Sequence, residues 1–142
     1  MDDAFAAMIT EALAGGFRQP RRGGWSAERI VAHVARNQEE LIGVAEAALR
    51  GETAEYGHEA ATDPADLDRY VDRYGGGLRG LADRLAETVV ALRTLCDGAG
   101  LQHLLRHEED VHGPEHLAEL LALRPSPKRS GRPGRAPSSD QP

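Results

Sequence analysis

The chain has 142 residues, is 40% hydrophobic with only one Trp, two Phe and three Tyr, and is rich in Ala, Leu, Glu and Arg, which predicts one all-α domain and excludes a second core or a sheet-based fold. Its net charge of −6 is uneven: Lys128, Arg129, Arg132 and Arg135 against Asp140 give the stretch from Pro125 onward +3, leaving −9 on residues 1–124, an acidic body that excludes nucleic acid as its partner. The lone cysteine, Cys96, cannot form an internal disulfide, and no apolar run approaches the roughly 20 residues of a membrane span or a signal-peptide core, so a cytoplasmic protein without a membrane partner is expected.

Residues 2–14 place Phe5, Met8, Ile9, Ala12 and Leu13 on one helical stripe, with Gly15 and Gly16 as the stop. FRQPRRGG is then a basic loop. The second helix opens at Ser26, an N-cap residue, with Glu28 in the first turn and Trp25 placed to staple onto Ile30. It runs to about Arg50, where Gly51 ends it. Ile30, Val31, Val34, Leu41, Ile42, Ala45 and Leu49 recur at three and four along it, with His33 beside them and Asn37 and Glu40 following on the same side.

Residues 51–62 lack helical periodicity and form a connection. A third helix starts with Asp63 capping Pro64, a residue tolerated in the first turn because its missing N–H would be unpaired there anyway. Apolar residues from Leu67 to Cys96 keep the spacing of one long helix, strained at Gly75, Gly76 and Gly77, where each glycine costs about 1 kcal/mol against alanine. Cys96 continues that apolar stripe and is expected in the core. After a turn at 97–100, Leu101, Leu104, Leu105, Glu108, His112, His116, Leu120 and Leu123 would share one face of a continuous helix. Pro114 opposes continuity, since its ring clashes with the carbonyl four residues back, and predicts a kink or fresh start near 110–113 with Pro114 in the first turn of the last helix. The Pro-, Ser- and Arg-rich segment 125–142 is expected to be a disordered tail behind a domain spanning 1–124.

His112 and His116, four residues apart, project to one side of a helix and offer half of a metal site. His33, on the core side of the second helix, is the candidate third ligand. Three unpartnered imidazoles are costly to bury, whereas a metal satisfies their nitrogens together. His103 and His107 form another such pair but lie off the Leu101/Leu105 stripe, so they are expected in solvent.

The segment GGWSAERIVAHVARNQEEL, with Gly24, Trp25, Ser26, His33, Val34, Ala35, Arg36 and Asn37, resembles the DinB-like superfamily, especially the metal-binding domain of mycothiol-dependent maleylpyruvate isomerases. LRGETAEYGHEAATDPADLDRYVDRY is similar to that family's connection in layout, with Gly51, Glu52, Tyr56 and Asp68 in comparable places, and HGPEHLAELLALR resembles its last bundle helix. The resemblance covers most of residues 3–124. It implies a four-helix bundle holding a divalent metal through His33, His112 and His116, with Glu108 and His112 as an alternative ligand pair; Asn37 and Glu40, on the His33 side of the second helix, are the candidates to orient a metal-bound water or substrate. Zinc is the first expectation; nickel and iron suit three imidazoles too.

By the same resemblance the implied partners are a low-molecular-weight thiol such as mycothiol and a small electrophile, joined in a thiol S-transferase or isomerase reaction. Isomerases of that kind carry a further C-terminal domain where this chain has its tail, which shifts the expectation toward thiol transfer to another electrophile. The rival expectation is a non-catalytic bundle with a structural or sensory metal site, pairing with itself as a homodimer. Glu108 separates the two, because a fourth protein ligand would close the site.

Overall fold

The structure, a computed structural model, describes residues 3–56 and 61–125. The expected tail beyond residue 125, and His58, lie outside the described residues. All regular structure among the described residues is helical: α1 (Ala4–Ala14), α2 (Ala27–Leu49), α3 (Pro64–Arg73), α4 (Leu78–Ala99), α5 (Gln102–His107), a π-helical turn (Glu108–His112) and α6 (Gly113–Leu121). None of these helices is long and apolar enough to cross a membrane.

Local chemistry sets the helix starts. The carboxylate of Asp3 accepts the N–H of Phe5, Ser26 Oγ accepts the N–H of Arg29 at 3.2 Å, and Asp63 accepts the N–H of Asp66 at 3.0 Å. Each satisfies an amide that the first turn leaves without a helical partner. α1 stops at Gly15 and α2 gives way to Gly51, both in the left-handed region that glycine enters without penalty.

The most extensive packing is that of α2 on α4. α1 lies against α4 and α6, and α3 covers α2. Two apolar clusters result. The larger gathers Phe5, Met8, Val31, Val34, Leu67, Leu81, Leu85 and Leu120; the smaller joins Leu41, Leu92 and Cys96 to Leu101, Leu104 and Leu105. Leu13 and Leu49, assigned by periodicity to buried stripes, are instead 46% and 52% exposed, because each lies in a last helical turn beyond the packed interface.

The long third helix expected from the sequence is two helices. Gly75 and Gly76 take φ values of 97° and 76°, so the chain turns there and restarts at Leu78. Gly80 completes the turn: a Cβ on it would stand 1.7 Å from the Tyr74 carbonyl oxygen. α2, α3 and α4 are then tied together by Glu39, which accepts from Tyr70 at 2.5 Å and from Arg84 at 2.8 Å, while Arg29 grips Asp68 with two bonds of 2.7 and 2.8 Å.

Pro114 does not end the last helical run. The run widens into a π turn, in which the Gly113 N–H donates to the Glu108 carbonyl five residues back, and Pro114 enters the first turn of α6. Arg93 of α4 holds the turn from outside through Glu109 at 2.7 Å, and with its second nitrogen binds Asp3 at the head of α1.

Gly80→Ala forces a Cβ onto backbone and is expected to lower stability by about 3 kcal/mol, the upper range of overpacking costs. Gly43→Ala, inside α2 with nothing within 4 Å of the new Cβ, is expected to raise it by about 0.5–1 kcal/mol. Urea midpoints of the two variants against wild type check the opposite signs.

Candidate metal centre

α2 carries three buried polar side chains in succession, His33, Asn37 and Gln38, where its stripe passes from the larger apolar cluster to the smaller. The last helical run brings Glu108, His112 and His116 to the same level. His33 is 2% exposed, Glu108 1% and His116 9%, and the His112 side chain is 11% exposed.

One nitrogen from each of His33, His112 and His116 lies within 4.8 Å of the other two. The ring centroids of His33 stand 5.0 Å from His112 and 4.5 Å from His116, and those of His112 and His116 are 4.4 Å apart. Trp25 closes one side, its ring 5.1 Å from that of His33. The residue expected to staple onto Ile30 thus also covers the histidine.

Every imidazole is held by its Nδ1. That of His33 meets the Ala61 carbonyl oxygen at 2.5 Å, that of His112 the Glu108 carboxylate at 3.0 Å, and that of His116 the Glu119 carboxylate at 2.7 Å. The hydrogen-bond network assigns the proton to Nδ1 in each ring, which puts the lone pairs on Nε2. The Nε2 atoms of His33 and His112 are 3.0 Å apart. That separation suits a proton carried by one of the two nitrogens, or a metal ion shared by both. Ligands about 2.0–2.1 Å from a shared ion stand at such separations, and imidazoles oriented through the opposite nitrogen are the usual surroundings of a metal. The residues present therefore fit a divalent ion.

Glu108, the alternative ligand in the sequence reading, spends its carboxylate on His112 Nδ1 and on the Asn37 amide, which donates to it at 3.0 Å. The Tyr56 hydroxyl donates to Asn37 Oδ1. Asn37 thus lies directly behind the triad. Glu40 pairs with Arg36, and its charge acts on Tyr56. Burial first, then the charges of Glu108 and Glu40, push the Tyr56 phenol up to about 12.

Two cavities reach the triad. One of about 530 Å³ includes Trp25, His116 and Glu119 in its wall; the other, about 490 Å³, is lined by Asn37, Tyr56, Glu108 and His112. His103 and His107 are exposed, as expected, but line the second cavity. Cys96 lies in the smaller core cluster, and burial pushes its thiol up, away from the reactive thiolate. Sequence reasoning passed over Glu119, although its position three residues after His116 puts it within helical reach, and over Ala61, a backbone acceptor that no side-chain pattern marks.

No family model, no curated protein and no solved structure matches this chain.

The Tyr56 shift has a consequence at high pH. A phenol whose folded value is raised from the ordinary 10 to about 12 keeps its proton in the folded state while the unfolded chain has lost it, so stability falls as pH rises from about 10 to about 12. Tyr56→Phe is expected to flatten part of that decline. Urea unfolding at pH 8 and pH 11 measures it, and equal slopes in the two proteins would remove Tyr56 as a source.

Proposed function

We propose that the chain is a DinB-like four-helix bundle that binds one divalent metal ion through His33, His112 and His116 and uses it to transfer a low-molecular-weight thiol to a small electrophile. The observation that carries the metal reading is the convergence of one ring nitrogen from each of His33, His112 and His116 within 4.8 Å, in rings all anchored through Nδ1. The resemblance of the Trp25-to-Asn37 segment and of HGPEH to DinB-like thiol enzymes supports the choice of reaction. Zinc is the preferred ion, with nickel and iron as alternatives of the same ligand chemistry.

Bound there, a divalent ion supplies Lewis acidity that favours the thiolate form of a thiol at neutral pH. The protein's own groups hold the site. Glu108 and Glu119 fix the rings of His112 and His116 and add negative charge behind them, which strengthens imidazole as a donor. Asn37 keeps Glu108 in place, and Tyr56 keeps Asn37 in place. The two cavities support a reactive rather than a closed centre, since both His112 and His116 line open volume from which reactants approach.

Elemental mass spectrometry of the purified protein is expected to find about one equivalent of transition metal. His33→Ala, His112→Ala and His116→Ala should each lose it, His103→Ala should keep it, and Glu108→Gln should weaken affinity by about 10- to 100-fold. Protein that stays metal-free after incubation with zinc, nickel and iron(II) defeats the reading. Metal-loaded protein that consumes no thiol with a panel of electrophiles defeats the reaction while leaving the metal site.

A further inference from the structure

Four histidines stand along the last helical run at intervals of four, five and four: His103, His107, His112 and His116. In a regular α-helix nine residues make two and a half turns, so His103 and His112 would face opposite sides. The structure nevertheless sets His103, His107 and His112 in the wall of one cavity, that of about 490 Å³. The π turn is the reason. It begins directly after His107 and closes through the Gly113 N–H on the Glu108 carbonyl, so it takes up the odd residue in the interval of five.

The series runs from solvent to interior. His103 and His107 are exposed, the His112 side chain is 11% exposed, and His33 and His116 are buried. His103 and His107 also lie one turn apart on α5, which brings their Cβ atoms to about 5–6 Å and lets both imidazoles reach one ion. The same cavity wall includes the Glu108 carboxylate, in a chain of net charge −6, so the field there favours cations. A hydrated ion must shed water before a buried triad can hold it. An imidazole pair in the open replaces part of that water while the rest stays bound, which makes it a natural first stop on an entry path.

We propose that His103 and His107 form a second site for a divalent transition-metal ion, weaker than the triad and open to water, from which the ion passes along the cavity wall to His112. Two imidazoles favour nickel, copper and zinc over magnesium and calcium, which take oxygen ligands. The site itself rests on the helical pair; its role in loading rests on the metal reading of the triad. With two protein ligands in place of three it gives up its ion on purification, so the isolated protein keeps one equivalent.

Nickel(II) is the probe, titrated calorimetrically into untagged protein that has been loaded with zinc and dialysed, with zinc content measured before and after. One further equivalent is expected to bind. His103→Ala and His107→Ala should each weaken it by at least about ten-fold, the least that loss of a group merely supporting a ligand costs, with helix content unchanged by circular dichroism. Loading is followed in chelator-stripped protein by nickel quenching of Trp25, the only tryptophan, whose ring stands 5.1 Å from that of His33 and which lines the other cavity. The double variant His103→Ala/His107→Ala should fill the triad at least about ten-fold more slowly, because the pair no longer concentrates the ion at the cavity, and reach the same final content. No further equivalent, or one that survives either single substitution, overturns the site. An unchanged filling rate in the double variant overturns the loading role. Nickel binding that needs both histidines in protein whose triad takes up no metal upholds the site and defeats the triad reading together with the loading role.

Discussion

Two imidazole nitrogens, Nε2 of His33 and Nε2 of His112, meet at 3.0 Å in the interior, and the placement of three chain segments answers to that contact. Burying a polar nitrogen without a partner costs about 1–3 kcal/mol, so each ring needs its far side satisfied before its near side can face another ring. The connection ahead of α3 supplies a carbonyl from Ala61, the π turn supplies Glu108, and α6 supplies Glu119. A shift of any of the three would leave a buried imidazole turned the wrong way.

The site forms a polar layer between two apolar clusters rather than a patch on one of them. Thr88 donates to Gln38 Oε1 at 2.7 Å, Asn37 donates to Glu108, and the histidines complete the layer. Gln38 Nε2 has no hydrogen-bond partner among the described residues. Such a layer contributes less hydrophobic stabilisation than leucines of the same volume would. The arrangement makes physical sense only if the polar groups serve something that an aliphatic core cannot, which is why the triad carries the functional reading.

The helix starts were legible because capping chemistry is local. Ser26 before α2, and Asp63 with Pro64 before α3, specify their own first turns. The break at 75–77 was visible as three glycines, yet unbroken three/four spacing across it favoured one helix; periodicity cannot tell a turn that preserves phase from a helix that continues. His33, His112 and His116 could be paired from spacing and resemblance, since a four-residue interval fixes a shared face. The role of Glu108 was not legible. Its position four residues before His112 suits a metal ligand and a hydrogen-bond acceptor equally, and the bond it accepts from Asn37 comes from another helix, which spacing along the chain does not show. The two cavities depend on how the 15–25 loop and the connection after α2 are laid over the helices, and neither segment has a periodicity to read.

The π turn at Glu108–His112 works as a one-residue phase shift in an otherwise continuous helical rod. Upstream of it, Leu101, Leu104 and Leu105 face the smaller apolar cluster; downstream, Leu117, Leu120 and Leu123 face the larger one. A regular α-helix advances about 100° per residue, so one extra residue in a single turn re-aims everything beyond it by that amount. Closing that turn to a regular α-helix with every residue kept would rotate Leu117, Leu120 and Leu123 by about 100° relative to Leu101, Leu104 and Leu105, so the widened turn is what seats both leucine sets. The irregularity is the gearing that lets one rod serve two cores.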